Sequence, residues 1–184
     1  MNYKIAVTVN NREEIKKMEK GEAVDIAEIK LDDIREDGTY NMKMFEEARG
    51  SDLNFIGTFP RPAEQDDEKY AIDNETLGIL EEISDVAEYI DIELQNVDSS
   101  PISDNEYDKR RAEHVERAKE LGMDVIVSWH NYQSTPSLEE LKRVQERELQ
   151  AGADIAKICT TAETIEDNTP MLKLLEESEE KSIG

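Results

Sequence analysis

Short apolar runs alternate with longer amphipathic segments along the whole chain. The apolar runs are rich in β-branched side chains and are bounded by polar or glycine-containing turns, which predicts strands. The longer segments place apolar residues three or four positions apart, which predicts helices. The predicted strands cover residues 4–9, 24–31, 53–59, 89–94, 125–129 and 154–159, and the predicted helices cover residues 12–20, 42–48, 74–87, 103–121, 137–152 and 169–179.

This alternation of strands and helices predicts right-handed βαβ units and a parallel sheet. A doubly wound open sheet usually has a glycine-rich loop after an early strand, whereas VTVNNREE follows the first strand here without a glycine. Polar residues at the C-terminal ends of several strands favour a barrel instead. We therefore predict an α/β fold, a (β/α)8 TIM-type barrel in one domain over residues 1–184. The barrel should be incomplete, with about six βα units and a further strand only starting at Lys181.

The charge of the chain excludes some classes of partner. The 184 residues include 45 acidic and 22 basic side chains, for a formal net charge of −23. An acidic protein of this kind repels nucleic acid and anionic lipid, so we expect neither as a partner. The single cysteine excludes an intramolecular disulfide, and no apolar run reaches membrane-spanning length. Because the N-terminus does not resemble a signal peptide either, we expect a cytoplasmic protein.

Two of the predicted strands carry charged residues on one face. In a barrel the apolar face of such a strand meets the helices, and the charged face lies in the interior or at its rim. The alternative is an edge strand with its charges in water. The charged faces consist of Glu28, Lys30 and Asp32 on the second strand and of Asp91, Glu93 and Gln95 on the fourth.

The last two predicted strands each carry one residue that suggests chemistry. Lys157 lies inside the apolar run of the sixth strand, and His130 follows the fifth. Burial lowers the pKa of a lysine and can provide a neutral, nucleophilic amine. The alternative is an ion pair with a buried carboxylate. His114, on a charged helix, is interpreted as structural.

The chain resembles the type I 3-dehydroquinate dehydratases, Schiff-base-forming (β/α)8 enzymes of the shikimate pathway. The strongest motifs are SWHNY at residues 128–132, TPS at 135–137 and GADIAKI at 152–158. Weaker support comes from EIKLD at 28–32, IGTF at 56–59 and DIEL at 91–94. The order and spacing of these motifs together make the resemblance specific.

The resemblance implies a mechanism and a set of site residues. Lys157 would form an imine with the ketone of 3-dehydroquinate, and His130 would act as general acid and base with a pKa near neutrality. Glu64 would orient the histidine, and Glu28 would bind substrate hydroxyls. The implied reaction yields 3-dehydroshikimate and water, and it needs neither a metal nor an organic cofactor.

The chain also departs from the pattern of the family. Lys30 stands where the family usually has arginine, so a point charge replaces a bidentate fork. Pro60 takes the place of a second arginine, and Arg61 follows one residue later. We expect Lys30 and Arg61 to bind substrate in these roles. The sequence stops before the strands that supply the family's arginine, serine and glutamine contacts to the substrate.

Two other functions remain open at the level of the sequence. One is another class I aldolase-like lyase that uses the same lysine. The other is a non-catalytic or split-barrel protein that needs a partner chain, since an incomplete barrel leaves strand edges available for pairing. A homodimer is the self-association that we consider.

Overall fold

The computed structural model describes residues 4–21, 24–31, 42–59, 74–94, 106–178 and 182–183. The described strands are β1 (Ala6–Thr8), β2 (Ile26–Lys30), β3 (Asn54–Thr58), β4 (Tyr89–Glu93), β5 (Asp124–Asn131), β6 (Ile155–Thr160) and β7 (Ser182–Ile183). The described helices are α1 (Arg12–Met18), α2 (Lys43–Ala48), α3 (Asn74–Ile83), α4 (Glu106–Glu120), α5 (Leu138–Gln150) and α6 (Asn168–Glu177). A short 3₁₀ turn, Ile165–Asp167, precedes α6.

The strands form one parallel sheet in which the spatial order follows the order along the chain, from β1 to β7. A doubly wound sheet reverses its strand order at a switch point, whereas a barrel does not. The sheet therefore curls as part of a TIM-type barrel, and the predicted fold class is confirmed. Six βα units precede the two-residue strand β7, and within the described residues β1 and β7 are the two ends of the sheet.

Helix boundaries follow local signals in the sequence. The Ser137 side chain accepts from the backbone N–H of Glu140, and the Glu140 carboxylate accepts from the backbone N–H of Ser137. This capping box starts α5 by satisfying two backbone donors. The helix ends just before Gly152, whose φ of +98° is a conformation that glycine adopts without steric cost. None of the described helices combines the length and the apolar character that a membrane crossing requires.

The main hydrophobic core lies between the sheet and the helices. Strand residues at alternate positions face outward into this layer, which explains the apolar runs of the sequence. Ile29, Phe55, Ile90 and Val127 are at most 1% exposed there, packed in one cluster with helix residues such as Leu80.

The barrel interior has an apolar floor below a polar layer. Ile26, Ile56, Tyr89, Ile126 and Ile155 form a separate cluster from five neighbouring strands. On each of these strands, the residue two positions after the apolar one lies on the same face of the sheet and is polar. The floor thus closes one end of the interior and leaves the charged side chains toward the C-terminal ends of the strands.

Glu148 on α5 is a fully buried ionisable residue of the outer layer. Glu148 follows Leu141, Val144 and Gln145 on the buried stripe of α5 and is 0% exposed. No described residue hydrogen-bonds to either of its carboxyl oxygens. Burial, with smaller contributions from negatively charged groups in the barrel, raises the pKa of Glu148 to about 10. Glu148 is therefore protonated in the folded protein at neutral pH.

The buried Glu148 should make stability depend on pH. The unfolded chain loses this proton near pH 4.5 and the folded chain near pH 10, so stability falls as pH rises between these values. Glu148→Gln removes this titration. We expect the variant to gain on the order of 3 kcal/mol over wild type between pH 5 and pH 7.5, measured by urea unfolding. The exposed Glu146→Gln is the matched control; a constant difference at both pH values contradicts the assignment.

Candidate active site

The polar layer of the barrel brings together charged side chains from β2, β4, β5 and β6. Parallel pairing aligns Ser128 with Lys157 and His130 with Cys159 across β5 and β6, and Glu93 with Ser128 across β4 and β5. The predicted interior position of the charged faces of β2 and β4 is confirmed for Glu28, Asp91 and Glu93, since their side chains are 13%, 1% and 7% exposed.

Lys157 is the central cation of this layer. Its Nζ lies 2.6 Å from Asp91 Oδ2 and 3.5 Å from Glu28 Oε1, and its side chain is 18% exposed. Burial is the largest single effect and lowers the pKa of Lys157, but Asp91 and Glu28 together outweigh it. The net effect raises the pKa above its ordinary value. The prediction that burial provides a neutral amine is therefore wrong for the free site, because two carboxylates hold the ammonium form.

Glu28 is held as an anion by hydroxyl groups from the strands on either side. Thr58 Oγ1 donates to Glu28 Oε1 at 2.8 Å, and Thr8 Oγ1 donates to Oε2 at 2.5 Å. Burial alone would raise the pKa of this carboxyl. This effect is outweighed by three others that lower the pKa, namely the hydrogen bond from Thr8, the charge of Lys157 and the hydrogen bond from Thr58. Its pKa lies below the ordinary value, so Glu28 stays ionised.

His130 is oriented by a glutamate from the neighbouring strand. Its Nδ1 lies 2.6 Å from Glu93 Oε2, which also accepts a 3.3 Å hydrogen bond from Ser128 Oγ. The Tyr107 hydroxyl donates to the backbone carbonyl of Glu93 at 2.8 Å and so fixes the end of β4. The Tyr132 ring stacks on the imidazole with the ring centroids 5.7 Å apart.

These contacts change the protonation of His130. Hydrogen bonding to the Cys159 thiol and then to Glu93 outweighs burial and raises the pKa of His130 to about 10. The expectation of a pKa near neutrality is therefore wrong for the free site. The imidazole is protonated at neutral pH, and its Nδ1–H donates to the carboxylate.

The remaining predicted site residues fall into two groups. Lys30 is exposed at the end of β2. Arg61 and Glu64 lie outside the described residues, as do Asp32 and Gln95.

Sequence reasoning missed two neighbours of His130, namely Glu93 and Cys159. Among the described residues, Glu93 contacts the histidine. The sequence offers several carboxylates as partners of Lys157, and Asp91 is the nearest of them in the structure. The alternation in YIDIE placed both acids on the inward face, but it could not determine which cation each one meets. Cys159 was also missed as a neighbour of the imidazole; its two-residue spacing from Lys157 was the available signal.

His114 is structural, in agreement with its interpretation. It is 0% exposed on α4, with Nε2 2.7 Å from Thr76 Oγ1 and Nδ1 2.8 Å from the carbonyl oxygen of Arg110. Among the residues that the structure describes, no three histidine, cysteine or carboxylate side chains are grouped so that they could hold a metal ion.

The fold and the site define a class of protein, a parallel βα barrel with a lysine held among carboxylates in its interior and an adjacent, glutamate-bound histidine. Comparison with known proteins is consistent with this class. The model of the type I 3-dehydroquinase family matches residues 4–183, and the chain belongs to this family.

Individual relatives are similar over different lengths. The 3-dehydroquinate dehydratase of Methanothermobacter thermautotrophicus is 31% identical over 180 residues, which cover 95% of this chain and 73% of that protein. The enzyme of the same name from Methanococcus maripaludis strain C6 is 36% identical over 115 residues, covering 61% of this chain and 47% of that protein. The chain thus spans only part of the curated relatives that it matches.

Solved structures have the same fold. The type I 3-dehydroquinate dehydratase of Clostridium difficile superposes with a TM-score of 0.71 at 25% identity, covering 93% of this chain and 68% of that chain. The 3-dehydroquinate dehydratase of Aquifex aeolicus gives the same TM-score and identity and covers 99% and 78%.

The protonation of His130 can be measured directly, because the chain has only two histidines. We expect the His130 imidazole to titrate near pH 10 in wild type. In Glu93→Gln its pKa should fall below the wild-type value, because a neutral amide stabilises the imidazolium less than a carboxylate does, while the contribution from Cys159 remains. Histidine ring NMR shifts measured against pH report both values.

Two controls accompany this titration. Ser128→Ala leaves the Glu93 carboxylate in place and should change the His130 pKa little. His130→Gln identifies the resonances. A wild-type imidazole that titrates near 6.5, with no change in Glu93→Gln, contradicts the assignment.

Proposed function

We propose that this chain provides the catalytic centre of a 3-dehydroquinate dehydratase, which converts 3-dehydroquinate to 3-dehydroshikimate and water. The observation that carries the proposal is the placement of Lys157 in the barrel interior, 2.6 Å from Asp91 and one strand from His130. An amine beside carboxylates and a histidine is the set of groups that imine chemistry with general acid–base catalysis needs.

Lys157 is the proposed nucleophile. Attack of its neutral amine on the substrate ketone and loss of water give an iminium ion, which withdraws electrons from the adjacent carbon. That carbon then loses a proton more readily, so a ring hydroxyl group is eliminated as water, and hydrolysis of the resulting iminium ion releases the product and the Lys157 amine. The lysine itself supplies the electron sink, and the step as written needs no organic cofactor.

His130 is the proposed general acid and base. The imidazolium of the free site is ready to protonate the departing hydroxyl group. To remove the carbon-bound proton it must first be neutral, and its pKa of about 10 leaves a small neutral fraction at pH 7. The proposed activity should therefore increase from neutral to alkaline pH.

The surrounding polar groups would bind the hydroxyls and the carboxylate of the substrate. Glu28, held ionised by two threonines, is a proposed acceptor for substrate hydroxyls. Lys30, at the end of the same strand, and Arg61 are proposed to bind anionic or hydroxyl groups of the substrate. Glu64 is proposed as a second carboxylate near His130, in addition to Glu93.

The comparisons support the proposal. Relatives from several methanogens carry the name 3-dehydroquinate dehydratase. The Clostridium difficile enzyme was solved with covalent modified comenic acid. These facts describe the relatives, and we extend the activity to this chain on the strength of family membership and of its own lysine site.

Borohydride trapping tests the proposed covalent step. Incubation with 3-dehydroquinate followed by borohydride should add one reduced substrate to wild type, located on Lys157 by peptide mass spectrometry. Lys157→Met should give no adduct, whereas Lys119→Met, an exposed helix lysine, should label like wild type.

A further variant separates imine formation from the acid–base steps. His130→Ala should still form the adduct, with product formation lowered on the order of a hundredfold or more. Product is followed by the ultraviolet absorbance of its conjugated ketone. Wild-type protein that gives no adduct on Lys157, although it is folded, contradicts the proposed function.

A further inference from the structure

The two carboxylates beside Lys157 differ in what else holds them. Glu28 accepts hydrogen bonds from Thr8 and Thr58 in addition to its contact with the ammonium. Asp91 accepts from Lys157 through Oδ2, while no described residue donates to its other oxygen, Oδ1, which is buried. Asp91 is therefore much more dependent on the lysine charge than Glu28 is.

This difference decides what happens when the amine reacts. Lys157 must lose a proton before it can attack a carbonyl group, because the free site holds it as an ammonium ion. At that moment the 1% exposed Asp91 side chain would be left as a buried anion without a cation. Such a charge is strongly unfavourable, and protonation of Asp91 removes it. Glu28 would remain stabilised by its two hydroxyl donors.

We propose that Asp91 accepts the proton of the Lys157 ammonium during carbonyl attack and returns it to the departing water. The assignment deepens the proposed function and depends on the same lysine.

The proton balance of the step is complete. Asp91 takes one proton from the ammonium, and the neutral amine forms a carbon–nitrogen bond to the carbonyl carbon. A second proton of the nitrogen moves to the new alkoxide, which gives a neutral carbinolamine. Protonated Asp91 then donates to the carbinolamine hydroxyl, the carbon–oxygen bond breaks, and water leaves. The resulting iminium ion again faces an ionised Asp91.

The other titratable groups of the layer are less suited to this role. Glu28 lies 3.5 Å from Nζ rather than 2.6 Å. His130 is itself protonated near neutral pH. Glu93 is engaged with that imidazolium and with Ser128. Among the described residues, the titratable groups that face Lys157 or adjoin it are thus Glu28 from β2, Asp91 and Glu93 from β4, His130 from β5 and Cys159 from β6.

The pH dependence of imine formation tests the proposal. Protein is mixed with a carbonyl compound for a set time between pH 6 and pH 9, and excess borohydride then stops the reaction. The adduct on Lys157 is counted by mass spectrometry. If the proton passes internally to Asp91, the rate of adduct formation in wild type should be nearly independent of pH. Asp91→Asn must lose the proton to solvent, so its rate should rise about tenfold for each pH unit below the lysine pKa.

Glu28→Gln is the matched control, because it removes the other carboxylate of the same cation. It should lower the rate but keep the flat profile. Asp91→Ala with added acetate is the second test, since a small carboxylate that enters the vacated space should restore part of the rate. A role of Asp91 in packing alone would lower the amount of adduct without changing the slope.

Two carbonyl compounds separate this proposal from the proposed function. Acetaldehyde probes the amine whatever the natural substrate is, and 3-dehydroquinate probes the full site. With acetaldehyde, a rate that depends on pH in Asp91→Asn but not in wild type would support the role of Asp91. If 3-dehydroquinate then gives no adduct, the proposed substrate is rejected. If the rate of adduct formation depends on pH in the same way in wild type and in Asp91→Asn, with either compound, the proposed role of Asp91 is overturned.

Discussion

The ion pair between Lys157 and Asp91 is the constraint on which the interior of this protein depends. Removing either partner of a buried pair leaves the other charge uncompensated, which costs several kcal/mol. The pair therefore fixes the ammonium form of the lysine, whereas burial alone would favour the neutral amine. The same pairing makes a proton acceptor necessary before the amine can react, so the stability of the resting site and its chemistry are linked through one contact.

The layering of the barrel provides the setting for this pair. Apolar side chains from five strands close the interior below it, and hydroxyl groups from β1 and β3 surround the second carboxylate. Nearer to the C-terminal ends of the strands, His130 from β5 contacts Glu93 from β4. Because side chains alternate along a strand, the positions that bear this chemistry are two residues apart from the positions that form the floor.

Much of this arrangement could be predicted from the sequence, because period-two alternation is a local property. It placed Glu28, Asp91 and Glu93 on inward faces, and the helix predicted over residues 137–152 agrees closely with α5. Partner choice could not be predicted, since it depends on the register of strands far apart in the chain. The protonation states of Lys157 and His130 were wrong for the same reason: burial could be inferred from the sequence, but not which carboxylates and which thiol contact these two side chains.

The charge state of Lys157 in the free protein is the most direct test of this account. NMR titration of the lysine side chain, assigned with Lys157→Met, should show the ammonium form still dominant at pH 10.5, where an ordinary lysine is half neutral. In Asp91→Asn the titration should move to lower pH. A wild-type Lys157 that is already neutral at pH 8 would contradict the account, because the two carboxylates would then not control the amine.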